Sequence, residues 1–327
     1  MISEAAARDH LLSKSEKISE RSSTNIIFAK PYIEHSGRNL EGKEMKNNEF
    51  SVQQAANGDV EVMVTEVEYI ESEKLDDLKD FDMSLKMLIP GLESKDWVLI
   101  CEALNNVRRL SIYHKEALED IMDTVISLLV KSLKNPRSAV CKTGIMTCAD
   151  VFKAFGDKII DFLDPLFVQL VLKSSQDKRF VCDAAEKALV ALTTWVSPVL
   201  LLPKLQPYLK NRNPRIRAKA SMCFSRSVRG LGVDEIKSYG IDKLIQIAAA
   251  QLSDQLPESR EAARALLLEL QTAYEKSQVL APEHDTPSEE PSIHSWEQFC
   301  ESKLSKLSAQ AVIRVTIVAH ESLVAGS

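Results

Sequence analysis

The chain has 327 residues, 45% of them apolar and 6% aromatic, with 10 glycines and a formal net charge of −6 at pH 7. Abundant Leu, Ala, Lys and Glu with so few glycines favour helices over sheets, so we predict an all-α protein. No eighteen uncharged apolar residues run together, and the first residues lack the apolar segment of a signal peptide. We therefore expect no membrane-spanning or exported protein.

The first 78 residues are rich in Ser, Asn, Glu and Lys and lack helical periodicity. Only the alternation of apolar and acidic residues from Val60 to Ile70 could form a short strand or helix. We predict that 1–78 is a mostly disordered acidic and polar N-terminal arm.

The next part of the chain repeats with a period of about 40 residues, which is typical of HEAT and armadillo helix pairs. The register is set by a Leu that ends one apolar helix, a polar turn, and a small residue in the following helix. The anchors are Leu92, Leu133, Leu172, Leu209 and Leu252, and the small residues are Ala103, Gly144, Ala184, Ala220 and Ala263.

This register predicts five helix pairs, in which small residues let the helices approach closely and Asn or Asp caps the second helix. The predicted pairs are 81–91 with 96–112, 117–133 with 137–155, 157–173 with 178–195, 199–209 with 214–230, and 237–252 with 257–276. We expect the repeat domain to cover 79–276 as an α-solenoid of five to six pairs.

The chain then becomes rich in proline and acids, which predicts a linker over 277–294. Trp296, Phe299, Leu304 and Leu307 follow at helical spacing. We expect 295–327 to form a short helical segment that caps the solenoid.

The sequence offers little material for catalysis. Its six cysteines form no CxxC pair and lie mostly among apolar residues, which fits a reducing cytosol, and His114 alone of six histidines lies in the repeat region. Because there is no Gly-rich phosphate loop, nucleophile signature or metal-ligand spacing, we expect no enzyme, no metal and no cofactor.

Charge is distributed unevenly along the chain. Residues 81–276 carry a net charge of +5 and the remainder −11, and no acid occurs between Lys187 and Val233. A basic solenoid fits an acidic partner. Arg217 and Arg260 occupy the position that commonly ties HEAT repeats together, so we interpret them, with the turn residues Asn135, Asn211 and Asp254, as structural.

Four turns carry motifs of a known family: Lys95-Asp96-Trp97, Asn135-Pro136-Arg137-Ser138, Lys178-Arg179-Phe180-Val181 and Asn213-Pro214-Arg215-Ile216-Arg217. Over about 78–276 the chain resembles the TOG domain, a six-HEAT-repeat tubulin-binding unit, most closely the type in CLASP and crescerin-like proteins. The resemblance implies that the turns within the repeats contact tubulin. The implied contact residues are Lys95, Trp97, Lys134, Arg137, Lys178, Arg179, Arg212 and Arg215.

Trp97 has two interpretations, since a tryptophan at a helix start can pack inward as a core residue or offer apolar contact area to a partner. We predict a cytoplasmic protein of the microtubule cytoskeleton that binds tubulin or the lattice through its turns. The alternative is a HEAT scaffold for a different protein, which would use the concave helix face. Nucleic-acid binding is a third class, disfavoured because Trp195 lies among apolar residues as a core tryptophan would.

Overall fold

The computed structural model describes residues 69–176, 178–279 and 295–324. Most of the predicted N-terminal arm and of the proline-rich linker lies outside these ranges. Within them, every regular element is a helix, and none is long and apolar enough to span a membrane.

Each helix pair consists of a first helix, which in several pairs is interrupted or flanked by a short turn, and one continuous second helix. The pairs are α1 (Phe81–Lys86) and α2 (Leu88–Leu92) with α3 (Trp97–Tyr113); α4 (Glu116–Glu119) and α5 (Met122–Leu133) with α6 (Ser138–Phe155); α7 (Leu163–Lys173) with α8 (Arg179–Trp195); α9 (Pro198–Leu205) with α10 (Pro214–Val228); and α11 (Val233–Tyr239) and α12 (Ile241–Gln251) with α13 (Pro257–Val279). A sixth pair, α14 (Trp296–Lys303) and α15 (Lys306–Val324), follows the linker.

The five predicted second helices match α3, α6, α8, α10 and α13 to within three residues. The first helices were predicted as single segments, but short turns or 3-10 segments interrupt or flank them, as at Gly156–Phe162 and Gln206–Lys210. Between α11 and α12 the break is at Gly240, whose φ of 103° suits glycine and few other residues. Local backbone chemistry therefore overrides helical periodicity in the first helices.

The structure corrects the predicted register in the third pair. A small residue is the seventh residue of every second helix in the first five pairs: Ala103, Gly144, Ala185, Ala220 and Ala263. The prediction of Leu172 with Ala184 was wrong by this criterion, because Ser174 is the buried residue five positions before α8 and Leu172 is 36% exposed. The small residue is needed for close packing, since a Cβ added to Gly91 would lie 2.9 Å from Cβ of Ala103.

The second helices pack side by side, α3 against α6, then α6 against α8, α8 against α10, and α10 against α13. One apolar core runs through the stack and continues into the last pair, where α15 packs against α12 and α13. Because all second helices share one direction, the turns that precede them line one edge of the stack.

A segment without α-helix, residues 69–80, lies across α3 and α6 and is called the strap below; it contains one 3-10 turn at Ser72–Lys74 and is extended at Leu75. Leu75 is buried and accepts a hydrogen bond at its carbonyl from the Tyr113 hydroxyl (2.7 Å). Ser72 Oγ donates to Asp150 Oδ1 (2.7 Å), and Asp150 also accepts from Arg108 Nε (2.6 Å). The packed part of the chain therefore begins at least ten residues before the predicted boundary at residue 79.

Candidate functional site: the turn edge

The turn edge comprises the turns between first and second helices together with the first two residues of each second helix. In four of the first five pairs, the residue three positions before the second helix accepts a hydrogen bond from the amide two residues later. The acceptors are Ser94, Asn135, Asn211 and Asp254, at 2.9–3.0 Å. These side-chain turns hold the backbone extended just before each helix begins.

A second recurring contact comes from the fourth residue of the second helix. Arg217 Nη1 donates to the Asn211 carbonyl (2.9 Å), and Arg260 Nη1 donates to the Asp254 carbonyl (2.8 Å). In the second and third pairs the fourth residue is a cysteine, and its thiol donates to a carbonyl at the end of the first helix: Cys141 Sγ to Leu133 (3.4 Å) and Cys182 Sγ to Ser174 (2.9 Å). The side chains satisfy carbonyls that the end of the first helix leaves without partners.

Arg217 also joins two neighbouring pairs. Its Nε donates to Asp254 Oδ2 at 2.7 Å, and both side chains are largely buried. Burial alone would raise the pKa of Asp254, but the hydrogen bonds from Arg217 and the Leu256 amide, with the charge of Arg217, hold it below its ordinary value of 3.8.

Arg217→Ala is expected to lower the free energy of unfolding by about 2 kcal/mol at pH 7, because a buried carboxylate and a turn carbonyl lose their donor. Since the pKa of Asp254 is lower in the folded than in the unfolded protein, the contribution is complete above about pH 4 and is lost as pH falls through the folded value. The difference between wild type and variant should therefore narrow below about pH 4.

Urea unfolding followed by circular dichroism at several pH values measures this difference. The control is Arg264→Ala, because Arg264 pairs with Glu261 at 2.9 Å on an exposed helix surface. That variant should lose less than about 0.5 kcal/mol. Equal losses in the two variants would contradict the structural role of Arg217.

Trp97 and Arg137 form one unit at the edge. Trp97 begins α3 and is half-buried, with part of its surface against the core. Cζ of Arg137 lies 4.5 Å from the centroid of the Trp97 ring. Trp97 is thus neither fully buried nor fully exposed, and its ring is held by a cation from the next turn.

Two other predicted residues also reach the preceding turn or helix start. Lys178 Nζ donates to Ser138 Oγ (2.5 Å), and Arg215 Nη1 donates to the Ser175 carbonyl (3.1 Å). Arg179 is exposed, with its Nε 3.8 Å from Asp183. Such contacts between neighbouring pairs fix the spacing of positive charge along the edge.

The remaining predicted bases, Lys95, Lys134 and Arg212, are exposed, and their side chains make no hydrogen bond or ion pair with the described part of the chain. Beside Trp97, Val98 and Leu99 are 40% and 47% exposed. The sequence prediction missed these two aliphatic residues, although they directly follow the tryptophan. The first turn therefore presents apolar area next to positive charge.

The positive charge of the acid-free stretch from Lys187 to Val233 is less available to a binding partner than the sequence suggests. Three of its bases already form ion pairs: Lys204 with Asp164, Arg217 with Asp254, and Lys219 with Glu186. The interpretation of Trp195 as a core residue was wrong, since it is 48% exposed at the end of α8. Its ring faces a cation instead, since Nζ of Lys153 on α6 lies 5.7 Å from the ring centroid.

Among the described residues, no group of three or more His, Cys, Asp or Glu side chains is placed to hold a metal ion. Burial raises the pKa of the Cys148 and Cys223 thiols, that of Cys223 to about 12, so both stay protonated at neutral pH. Their contribution is to packing.

The family model described as CLASP N terminal matches residues 98–288. TOG array regulator of axonemal microtubules protein 1 from Mus musculus is 25% identical over 193 residues, which are 57% of this chain and 11% of that protein. The chain thus spans only about a tenth of the length of this relative.

Two solved structures share the fold. One is described as "Crescerin uses a TOG domain array to regulate microtubules in the primary cilium", with a TM-score of 0.50, 17% identity, and coverage of 76% of this chain and 91% of that one. Another, on tubulin recruitment and assembly by microtubule polymerases with TOG domain arrays, has a TM-score of 0.50, 16% identity, and coverage of 75% and 48%.

Proposed function

The chain belongs to the CLASP N-terminal family, and from this premise we propose that it binds tubulin or the microtubule lattice through the turn edge. It would thereby regulate microtubule organisation or dynamics, in the cytoplasm at the microtubule cytoskeleton. The observation that carries the proposal is the Arg137–Trp97 stack at 4.5 Å, beside exposed Val98 and Leu99. Known relatives and structures of the same fold are named for microtubule regulation and tubulin recruitment.

The residues of the turn edge supply three features that a tubulin-binding surface can use: apolar contact area, positive charge and a preordered aromatic ring. Trp97 with Val98 and Leu99 supplies apolar area that is desolvated on binding, as in a central hot spot. Lys95, Lys134 and Arg212 surround or extend this area with unpaired positive charge, which steers an acidic partner and makes association sensitive to salt. Arg137 holds the indole in place before binding, which lowers the cost of ordering it.

Trp97→Ala combined with Arg137→Ala is expected to weaken tubulin binding at least about 30-fold, because the variant removes the apolar anchor and its support. Binding is measured with the full chain, by co-migration with free tubulin on size exclusion and co-pelleting with microtubules. Helical circular dichroism and thermal unfolding show whether the variant stays folded.

Two further variants sharpen the test. Lys95→Glu with Lys134→Glu changes only exposed side chains, so it should preserve stability while reducing affinity about tenfold at low salt. Lys237→Ala, on α11 away from the edge, is the matched control and should bind as wild type does. If the full chain binds neither form of tubulin at low salt, the proposal is wrong.

A further inference from the structure

The strap shows how the second helices hold an acidic segment whose backbone is extended at Leu75. Its residues 71–77 include Glu71, Glu73, Asp76 and Asp77. Arg109 Nε donates to the carbonyl of Asp76 (3.1 Å), and the Tyr113 hydroxyl donates to the carbonyl of Leu75 (2.7 Å). An arginine and an aromatic donor near the end of α3 thus bind the backbone of an extended chain.

The same two register positions carry the same chemistry further along the stack. Arg109 is the thirteenth residue of α3 and Tyr113 the seventeenth. The thirteenth residue of α10 is Arg226, and the seventeenth of α8 is Trp195. Because the second helices pack side by side, these residues lie at the heights that Arg109 and Tyr113 occupy on α3.

The described part of the strap does not reach Trp195 or Arg226, although Glu71 and Ser72 near its start line a cleft with Lys187 on α8. Trp195 is 48% exposed, and its indole N–H makes no hydrogen bond with the described residues. The side chains of Arg226, Arg229 and Lys187 likewise make no hydrogen bond or ion pair with the described residues. These four residues, together with Met222 one turn before Arg226 on α10, are called the α8–α10 face below.

The residues of this face come from adjacent parts of the two helices. A Cβ added to Gly230, just after α10, would lie 3.2 Å from Cγ of Pro198, which follows Trp195 by three residues. Met222, Arg226 and Arg229 also line a cleft of about 260 Å³ between α10 and α13. Glu258 and Glu261 line the α13 side of the same cleft.

We propose that the α8–α10 face binds an extended acidic peptide of a partner protein, in the manner in which α3 binds the strap. The Trp195 N–H and the Arg226 guanidinium would donate to backbone carbonyls, while Lys187 and Arg229 would pair with acidic side chains. Aliphatic side chains of the peptide would cover Met222. This surface is separate from the turn edge, so it gives the protein a second partner in addition to tubulin.

A peptide fits this face better than a nucleic acid does, because the equivalent residues on α3 already bind a polypeptide backbone. The probe is a labelled peptide with the sequence of residues 69–80, and its control has Lys at each acidic position. Fluorescence anisotropy with the full chain measures both affinities. We expect the acidic peptide to bind and its charge-reversed control to bind at least about tenfold more weakly.

Arg226→Glu with Arg229→Glu should weaken peptide binding at least about tenfold, and Trp195→Ala about fivefold, without loss of helical circular dichroism. Neither change should alter tubulin binding more than about twofold. Lys134→Glu with Arg212→Glu on the turn edge should give the opposite pattern, with weaker tubulin binding and unchanged peptide binding. Because the two pairs of substitutions affect different ligands, a failure of the peptide-binding proposal can be distinguished from a failure of the tubulin-binding proposal.

Three results would overturn the proposal. The first is no measurable binding of the acidic peptide to the full chain. The second is unchanged affinity in the Arg226→Glu, Arg229→Glu variant, which would place the peptide elsewhere. The third is tighter binding of a single-stranded oligonucleotide of equal charge that competes at the same residues, which would assign the face to nucleic acid.

Discussion

Asp150→Ala is expected to lower the free energy of unfolding by about 3–5 kcal/mol, because it leaves the Arg108 guanidinium charged and unpaired inside the protein. The side chains of Arg108 and Asp150 are 1% and 5% exposed, and Nε and Oδ2 are 2.6 Å apart. Arg108 also donates to Asn105 and Ser72, but neither partner carries a compensating charge.

A matched control is available on the surface. Lys158 Nζ and Glu119 Oε1 are also 2.6 Å apart, but the side chains are 67% and 41% exposed. Glu119→Ala should therefore cost less than about 1 kcal/mol, since water replaces the lost partner. Urea unfolding of the two variants compares two ion pairs with the same N–O distance, one buried and one exposed to water. Equal losses of unfolding free energy would show that burial of the Arg108–Asp150 pair is unimportant.

A variant that replaces both charged residues shows whether Asp150→Ala is unstable because of the unpaired buried charge or because of lost packing. Arg108→Met with Asp150→Leu removes the ion pair while keeping apolar volume, so the double variant should recover most of the stability that Asp150→Ala loses. Ser72 then loses its partners on α3 and α6, and the strap should become more accessible to limited proteolysis. A double variant as unstable as Asp150→Ala would contradict the unpaired-charge explanation.

Trp296→Ala is expected to cost about 3–5 kcal/mol, because it removes the largest buried side chain that joins the last helix pair to the stack. Trp296 is 4% exposed and lies 5.6 Å from the ring of Tyr274 on α13, measured between centroids. Its indole nitrogen is 3.3 Å from Thr316 Oγ1 on α15. The side chain thus contacts α13, α14 and α15 together.

Trp195→Ala provides the control of the same residue type. Because Trp195 is about half exposed, its replacement should lower the free energy of unfolding by less than about 1 kcal/mol. Thermal or urea unfolding measures both variants. If Trp296→Ala changed stability no more than Trp195→Ala does, α14 and α15 would not be an integral sixth pair of the solenoid.

The two proposed surfaces use different physical features of one repeat architecture. The turn edge depends on side chains at the beginnings of second helices, whereas the α8–α10 face depends on residues near their ends. A repeat places equivalent positions in register, so a contact observed once on α3 identifies where the same contact can occur on α8 and α10. A chain with both surfaces could hold tubulin and an acidic partner at once.

The amino-acid sequence alone determined the helical class, the repeat period and the positions of the turns. These features depend on local chemistry, since apolar residues recur at helical spacing and Asn, Asp and Pro mark the turns. The turn acceptors Asn135, Asn211 and Asp254 were predictable for the same reason. Each acts on its own backbone within two residues, so no distant part of the chain is needed.

Only the tertiary structure decided which side of a helix is covered and by what. The sequence predicted Leu172 as a repeat anchor and Trp195 as a core residue, but both are substantially exposed, because burial depends on which helix packs alongside. Arg108 is buried only because Asp150 and Ser72, 42 and 36 residues away, converge on it. Helical periodicity gives the angle of a side chain about its own axis, whereas its partners come from segments that the fold brings together.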